Sequence, residues 1–323
     1  MSEKTKKTSK QERRARQQQR LDAELARGRR KTLLIWGTLA ASALAAIVGA
    51  FVLLSADSGT AGPGERPYVG GDFHALAVDP ANPERVMVGG HDGAALSEDG
   101  GETWLQIPDL EGADPMGWSV DPQDPQKMYV GGHPGFYRSE DGGDSWEQDN
   151  SGLPGTDVHG LGIDPQNPET LYAYIVGEGI YRSPDAAGSW ELVNDEKSLM
   201  GPILVDPRDS DTLYLAEMEG GFQQSTDGGE SWRQLGTVPG GMVTWISQDR
   251  QAPDTFYAAA GEVSKSTDGG ESWQPTGGGL PGGVSVVAVS PSDSRIVYAG
   301  VLDGTEAHLF RSEDGGESWE AQN

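Results

Sequence analysis

The sequence contains no cysteine, and this absence excludes several kinds of chemistry at once. Without thiols there can be no disulfide, no thiolate nucleophile and no cysteine metal site. A lipoprotein is excluded too, because no cysteine is present to carry the lipid. Any metal ion would have to be held by histidine, carboxylate or methionine side chains.

Basic side chains are scarce outside the first 31 residues. Residues 32–323 hold 12 Lys and Arg against 46 Asp and Glu, whereas residues 1–31 hold 12 against four. So acidic a surface repels nucleic acid and anionic membranes and attracts cations. We therefore expect no nucleic-acid partner for residues 72–323. Solubility in a salty or acidic surrounding is the alternative explanation of this charge.

Charge is absent altogether from residues 32–56, a run of 25 residues. A helix of this length, at about 1.5 Å per residue, spans a hydrocarbon core of roughly 30 Å. The excess of basic residues before it predicts that residues 1–31 form a cytoplasmic tail and that the rest lies outside. The sequence thus predicts a single-pass protein of the cell membrane that contacts the lipid bilayer through residues 32–56.

A cleaved signal peptide is the alternative reading of the same segment. Its apolar stretch usually covers only about 7–15 residues, and its basic region is shorter than the one seen here. The lengths therefore favour an uncleaved transmembrane helix. Residues 57–71 are rich in Gly, Ser and Pro, a composition typical of a flexible tether.

An eight-residue box of the form Ser-x-Asp-Gly-Gly-x-Ser/Thr-Trp occurs six times in the rest of the chain. The tryptophans that end the boxes are 42, 44, 42, 41 and 46 residues apart. The Asp and Trp of each box are Asp99 and Trp104, Asp141 and Trp146, Asp185 and Trp190, Asp227 and Trp232, Asp268 and Trp273, and Asp314 and Trp319. A period in the low forties predicts an all-β fold, a six-bladed β-propeller of four-stranded antiparallel blades over residues 72–323.

Each box has a physical reading as a tight turn. The Asp carboxylate can accept backbone N–H groups across the turn, and the two glycines supply positive φ. The tryptophan opens the next strand and buries its ring between blades. The third box has Ala186 and Ala187 in place of the two glycines, so we expect that turn to be strained or differently shaped.

These boxes resemble the Asp-box, or BNR, repeat of sialidases, sortilin-type receptors and photosystem II assembly factors. Residues 72–74, 90–93, 116–119, 132–135 and 157–160 also resemble a bacterial group of anchored or secreted propellers labelled sialidase-like glycosyl hydrolases. The resemblance implies a ligand on the face opposite the boxes. It also implies one of two roles, a glycoside hydrolase or a module that binds peptides or proteins.

The meander of each blade assigns its turns to two faces of the propeller. The box face carries the six boxes and the turns between first and second strands, most of which contain Asp-Pro. The open face carries the starts of the first strands and the turns between second and third strands. All five histidines fall on the open face. His74, His159 and Met116 share one position in their blades, whereas His91, His133 and Met218 follow a second strand.

Four histidines and two methionines on the open face form a candidate metal site. Its members are His74, His91, His133, His159, Met116 and Met218. Imidazole suits Zn and Cu, and thioethers favour Cu(I), so Cu or Zn is the expected ion. Carboxylates at Asp72, Asp92, Asp114 and Asp157 could orient the imidazoles or bind directly. Loop histidines satisfied by water and local hydrogen bonds are the alternative.

The arginines are wrongly placed for a typical sialidase, which holds the carboxylate of its substrate with three arginines on the ligand face. Arg85, Arg208, Arg250 and Arg295 fall at turns of the box face, and only Arg66 could reach the open face. A glycosidase acting on a non-sialic glycan needs only two carboxylates at a suitable separation. The open face offers Asp114, Asp157, Glu178, Glu217, Glu219, Glu262 and Asp303, and the sequence selects no catalytic pair among them.

The sequence as a whole favours a binding module over an enzyme. We expect a membrane-anchored, extracytoplasmic propeller that binds a metal cation or a partner protein or peptide on its open face. A sialidase-like glycoside hydrolase for a non-sialic glycan is the alternative. Trp118 and Trp245, in first strands, are expected in the core, with the central channel as the other option.

Overall fold

The computed structural model describes residues 66–277, 279–304 and 306–322. The predicted cytoplasmic tail of residues 1–31, the predicted membrane span of residues 32–56 and most of the predicted tether lie outside these ranges. Among the residues described, no helix has the length and apolar character needed to cross a membrane.

The described chain is built from six antiparallel sheets, each made of four strands that are consecutive in the sequence. Blades one to three contain β1 (Ala75–Val78), β2 (Val86–Gly90), β3 (Gly93–Ser97), β4 (Leu105–Gln106); β5 (Asp114–Val120), β6 (Met128–His133), β7 (Gly135–Ser139), β8 (Glu147–Gln148); and β9 (Val158–Ile163), β10 (Leu171–Ile175), β11 (Gly179–Ser183), β12 (Glu191–Asn194). Blades four to six contain β13 (Leu204–Val205), β14 (Leu213–Ala216), β15 (Gly221–Ser225), β16 (Arg233–Thr237); β17 (Trp245–Gln248), β18 (Phe256–Ala259), β19 (Val263–Ser266), β20 (Gln274–Pro275); and β21 (Val284–Val289), β22 (Val297–Asp303), β23 (Glu306–Ser312), β24 (Glu320–Ala321). A 3-10 helix, Pro108–Leu110, joins blades one and two.

This architecture confirms the predicted all-β, six-bladed propeller. Burial follows the position of a strand in its blade, since second strands such as β2 and β10 are buried along their whole length. Fourth strands such as β4 and β8 have two residues each, both exposed. The outer strand has no neighbour on one side, and a short polar strand limits edge-to-edge pairing with other molecules.

Glycine in the first strands allows neighbouring blades to approach closely near the propeller axis. A Cβ on Gly162 would lie 2.2 Å from the carbonyl oxygen of Ile203 in blade four, and one on Gly160 would lie 2.8 Å from that of Gly201. Any larger residue would push the inner strands apart. Trp118 and Trp245 are buried in the core, as expected, and both also border the central channel.

The six boxes form the same hydrogen-bonded turn. In blade four, Ser225 Oγ donates to Asp227 Oδ1 at 2.7 Å, and Asp227 Oδ1 accepts the amide of Ser231 at 2.9 Å. The amide of Gly228 donates to the carbonyl oxygen of Asp211, in the turn between the first and second strands of that blade. An equivalent bond recurs in every blade, so both kinds of turn lie on the box face, as the meander predicts.

The third box keeps this shape at the cost of strain. Ala186 and Ala187 have φ of 54° and 72°, in the left-handed region that favours glycine. The amide of Ala187 still donates to Ser183 Oγ at 2.9 Å, and Asp185 still accepts the amide of Ser189. Strain is thus confirmed, whereas the alternative of a differently shaped turn is wrong.

The ring closes where blade six meets blade one, and each blade uses only its own four strands. Tyr298 Oη donates to the carbonyl oxygen of Pro83 at 3.0 Å, and the Arg311 guanidinium lies 2.7 Å from Glu84. The segment before β1 adds to blade one. Val69 is 1% exposed, and its carbonyl oxygen accepts the amide of Asp92.

Candidate functional site

Four of the five histidines meet three aspartates on the open face of blades one to three. Asp72 and His74 lie just before β1, and His91 follows β2. Asp114 begins β5 and His133 ends β6, where the two residues are direct partners in the antiparallel register. Asp157 precedes β9 and His159 lies within it. We call these seven residues the His–Asp cluster: Asp72, His74, His91, Asp114, His133, Asp157 and His159.

Glycine explains why the histidines after β2 and in β6 lie against aspartates. A Cβ on Gly90 would lie 2.5 Å from the carbonyl oxygen of Asp72, and one on Gly132 would lie 2.0 Å from that of Asp114. Only glycine permits this approach of the first strand to the end of the second. The Gly-Gly-His sequence therefore brings an imidazole beside an aspartate in both blades.

Asp114 lies at the centre of the His–Asp cluster and contacts three imidazoles through their Nδ1 atoms. The Asp114 carboxylate is 2.7 Å from Nδ1 of His74, 3.2 Å from Nδ1 of His91 and 3.6 Å from Nδ1 of His133. The Asp114 side chain is only 16% exposed. Its oxygens therefore fix the orientation of rings that come from two different blades.

The Nε2 atoms of the histidines gather around the other two aspartates. Nε2 of His74 and Nε2 of His91 lie 3.2 Å and 3.6 Å from Asp72 Oδ1. We call Asp72, His74 and His91 the first centre. One potential ligand atom from each of these three residues lies within 4.8 Å of the other two.

The second centre consists of His133, Asp157 and His159. Nε2 of His133 hydrogen-bonds Asp157 Oδ1, and Nε2 of His159 lies 2.9 Å from the same oxygen. The His159 contact lacks the direction of a hydrogen bond, so this buried nitrogen has no hydrogen-bond partner among the residues described. His159 Nε2 and Asp157 Oδ1 are thus close together without a hydrogen bond between them. A cation bound by both atoms would satisfy this buried nitrogen.

In the cluster, each carboxylate and the imidazoles beside it favour each other's charged form. Burial alone would lower the pKa of His74, but hydrogen bonds with Asp114 and Asp72 raise it to about 9. Hydrogen bonds with Asp114 and Asp157 raise the pKa of His133 to about 10. Burial acts to raise the pKa of Asp114, yet the three imidazoles hold it far below its usual range. The carboxylate is therefore ionised and is no source of protons near neutral pH.

Two methionines and one aspartate proposed from the sequence, and the fifth histidine, have other surroundings. Met116 is the extra residue of a bulge in β5, the position that His159 takes in β9, but its side chain is buried. Met218 lies in blade four, where its carbonyl oxygen accepts the amide of Val243. Asp92 accepts from Tyr68 Oη, and His308 lies 3.9 Å from Glu306 in blade six.

The remaining open-face carboxylates do not form one group with the cluster. Glu217 pairs with Lys197 at 2.9 Å and accepts a hydrogen bond from Gln223. Glu178, Glu219, Glu262 and Asp303 are exposed on the turns of blades three to six. On the box face, Arg85, Arg208 and Arg295 pair with local aspartates, which leaves them unable to serve the open face. Arg66 contacts Glu306.

Comparison with known proteins defines the fold but no family. No protein-family model matches the chain, and no curated protein matches it. Among solved structures, the GH74 enzyme of Niastella koreensis is similar with a TM-score of 0.60 at 16% identity, over 80% of this chain and 46% of that one. The GH74 xyloglucanase of Xanthomonas campestris gives a TM-score of 0.58 at 18% identity, over the same two shares.

A chain of the nidogen/laminin complex is also similar, with a TM-score of 0.58 at 12% identity, over 74% of this chain and 93% of that one. This chain spans less than half the length of the two GH74 proteins that it resembles. At these identities the likeness extends to the fold alone. The class is thus a six-bladed β-propeller, a fold that this chain shares with glycoside hydrolases and with a member of a protein–protein complex.

Proposed function

We propose that this protein binds divalent metal ions, Zn(II) or Cu(II), in the His–Asp cluster of its open face. The observation that carries the proposal is the division of the histidine nitrogens, with the Nδ1 atoms of three histidines at Asp114 and the Nε2 atoms of all four at Asp72 or Asp157. Each centre then offers two imidazole nitrogens and one carboxylate oxygen, once the metal has displaced the protons that the raised pKa values of His74 and His133 hold on these rings. Three protein ligands leave a coordination position for water or for a further ligand.

The donor types favour Zn(II) and Cu(II) over other ions. Imidazole nitrogen suits both, whereas Ca²⁺ and Mg²⁺ prefer sites made only of oxygen. Zn(II) and Cu(II) need no thioether ligand, so the proposal depends on the histidines and aspartates and not on Met116 or Met218. Asp114 acts as the outer carboxylate that orients the ligating rings, a common arrangement around ligating histidines.

The cellular setting is part of the same proposal. We infer that residues 32–56 anchor the protein in the cell membrane, with residues 1–31 in the cytoplasm and the propeller outside. The uncharged run and the basic tail before it support this topology. Protease added to intact cells should then digest the propeller and leave the tail protected. Digestion of neither part, or release of the propeller after cleavage of a leader, would contradict the anchored topology.

Metal analysis of the full-length protein tests the site. The protein is dialysed against Zn(II) or Cu(II), and free ion is removed. Inductively coupled plasma mass spectrometry should then find up to two metal ions per chain. The double variant His74→Ala and His159→Ala removes one ligand from each centre and should lose bound metal. His308→Ala changes a histidine outside the cluster and should retain it. Absence of stoichiometric uptake, or unchanged uptake by the double variant, would overturn the proposal.

Glycoside hydrolysis is the competing function, and the GH74 structures share only their fold with this chain. Asp114 and Asp157 are poor general acids, because contacts with histidines hold the pKa of both well below the usual range. A catalytic pair would have to come from the exposed acids of blades three to six. Turnover of a panel of aryl glycosides, lost on mutation of an open-face carboxylate, would replace metal binding as the assigned function.

A further inference from the structure

A cavity of about 140 Å³ lies in the central channel, enclosed by the first strands of all six blades. Its walls combine aliphatic side chains, such as those of Val120, Ile163 and Val205, with the polar side chains of Ser119, Ser247 and Gln248. Pro80 and Pro291, from turns of the box face, also border it. The cavity is therefore separate from the His–Asp cluster, which lies on the open face.

Arg250 is the only charged residue among the described residues that line this cavity. In the other five blades the residue at this place, after the last residue of the first strand and its Asp or Ser, is proline. These prolines are Pro80, Pro122, Pro165, Pro207 and Pro291. Blade five thus departs from the repeat by placing a guanidinium where its neighbours have a pyrrolidine ring.

The other arginines of the equivalent turns are all paired, whereas Arg250 is not. Arg85 lies 3.0 Å from Asp79, Arg208 lies 2.7 Å from Asp206, and Arg295 lies 2.7 Å from Asp293. For Arg250, none of the described residues supplies an ion pair.

The aspartates that precede four of these prolines do not border the cavity, and each accepts an amide of the turn that follows it. Asp249, beside Arg250, likewise accepts the amides of Gln251 and Ala252 through Oδ1.

The setting of Arg250 is unfavourable for a lone cation. Its side chain retains accessible surface because the cavity admits water, yet protein surrounds it. Burial lowers the pKa of Arg250 to about 10, and the negative charge of Asp121 offsets only part of this effect. A desolvated charge without a partner is costly, and a counter-ion in the cavity would offset that cost.

We propose that Arg250 anchors a binding site for a small oxyanion, a carboxylate or a phosphate, in the central channel. The planar guanidinium presents parallel N–H donors that match two oxygens of such an anion. The cavity has room for a small anion and for water beside it. Protein surrounds the channel, which lowers the local dielectric below that of bulk water and so strengthens the charge–charge attraction.

Calorimetric titration of the metal-free, full-length protein tests this site. Sodium acetate and sodium phosphate are titrated separately at constant ionic strength in sodium chloride. We expect a one-site isotherm with at least one of the two anions, and binding at least about tenfold weaker in Arg250→Met. Binding of acetate alone would assign a carboxylate ligand, and binding of phosphate would assign an inorganic oxyanion; either outcome supports the site.

Three further variants keep the test decisive. Arg250→Pro introduces the residue of the other five blades, so the propeller should fold and should not bind the anion. This variant replaces Arg250→Met if that protein does not fold. Arg250→Lys keeps the charge without the fork and should bind more weakly than the native protein. Arg208→Met removes a paired arginine of the same face and should bind normally. If neither anion binds, or if both Arg250→Met and Arg250→Pro bind it like the native protein, the proposal is wrong.

Discussion

At the scale of single residues, Asp114 connects parts of the chain that are remote in sequence. One carboxylate contacts His74 and His91 of blade one and His133 of its own blade. A neutral amide of the same shape could accept through only one of its two polar atoms, and its NH₂ group would face the ring nitrogens as a donor. Asp114 therefore positions the imidazoles, and its charge is the property that matters.

Asp114→Asn tests this positioning role. We expect metal affinity to fall about 10- to 100-fold, because the outer carboxylate that orients several ligands is lost. Competition with a chelating dye measures the affinity. Asp92→Asn is the matched control, since Asp92 lies on the same face and contacts Tyr68 but no imidazole. Equal affinities for the native protein and Asp114→Asn would show that the carboxylate does not orient the ligands.

The sequence predicts the members of the cluster better than it predicts their arrangement. The box spacing places all five histidines on the open face, and four of them meet there. The contact of Asp114 with His133 depends on the close approach of the backbone at Gly132, which the spacing of the boxes does not reveal. The equivalence of Met116 with His159 also holds along the backbone, but the side chain of Met116 is buried. Backbone position in a repeat does not determine where a side chain packs.

Ala186 is a second residue whose effect can be measured. Its φ of 54° is disfavoured for a residue with a Cβ by about 1–2 kcal/mol, an amount that glycine avoids at some cost in entropy. Ala186→Gly should therefore raise the free energy of unfolding by about 0.5–1 kcal/mol in urea titration. Gly142→Ala makes the opposite change at the same place in blade two, where φ is 74°, and should destabilise. Destabilisation by Ala186→Gly would mean that the turn carries no strain.

At the scale of elements, the box is a folding device whose carboxylate is tied into its own turn. Hydrogen bonds from Ser231 and Ser225 lower the pKa of Asp227 to about 2, and equivalent bonds do the same for Asp268 and Asp314. The repeated Ser, Asp and Gly determine local structure, so this element could be predicted from sequence alone. The boxes have no contact with the cluster, and their function is structural.

The lowered pKa values predict how stability depends on pH. An unfolded Asp titrates near about 3.9, so the boxes bind fewer protons than the unfolded chain between about pH 4 and pH 2. Their stabilising effect is complete above about pH 4 and is lost as the pH falls through about 2. Urea titrations between pH 6 and pH 2 should show this fall, with a smaller slope in Asp227→Asn. A constant free energy of unfolding below pH 4 would contradict it.

At the scale of the whole molecule, the ring is held closed by side chains instead of by a shared strand. The contact between blades six and one resembles the contact between blades five and six. Tyr298 Oη donates to Pro83 O at 3.0 Å across the first, and Tyr257 Oη donates to Gly315 O at 2.9 Å across the second. The two tyrosines hold the same place in their second strands. Sequence predicts six blades but not how the ring closes, because these bonds join residues 215 positions apart in one case and 58 in the other.

The carbonyl oxygen of Gly315 also accepts Lys265 Nζ at 3.0 Å, so the two contacts predict unequal losses of stability on removal of the tyrosine hydroxyl. Tyr298→Phe should cost about 1 kcal/mol, because it removes the hydroxyl that donates to Pro83 O. Tyr257→Phe should cost less, because Lys265 Nζ still donates to Gly315 O. Urea unfolding followed by tryptophan fluorescence and by circular dichroism measures both variants, and the two probes should give coincident single transitions. A loss much larger than about 1 kcal/mol in Tyr298→Phe, or transitions that separate only in that variant, would instead identify the closure between blades six and one as a weak seam.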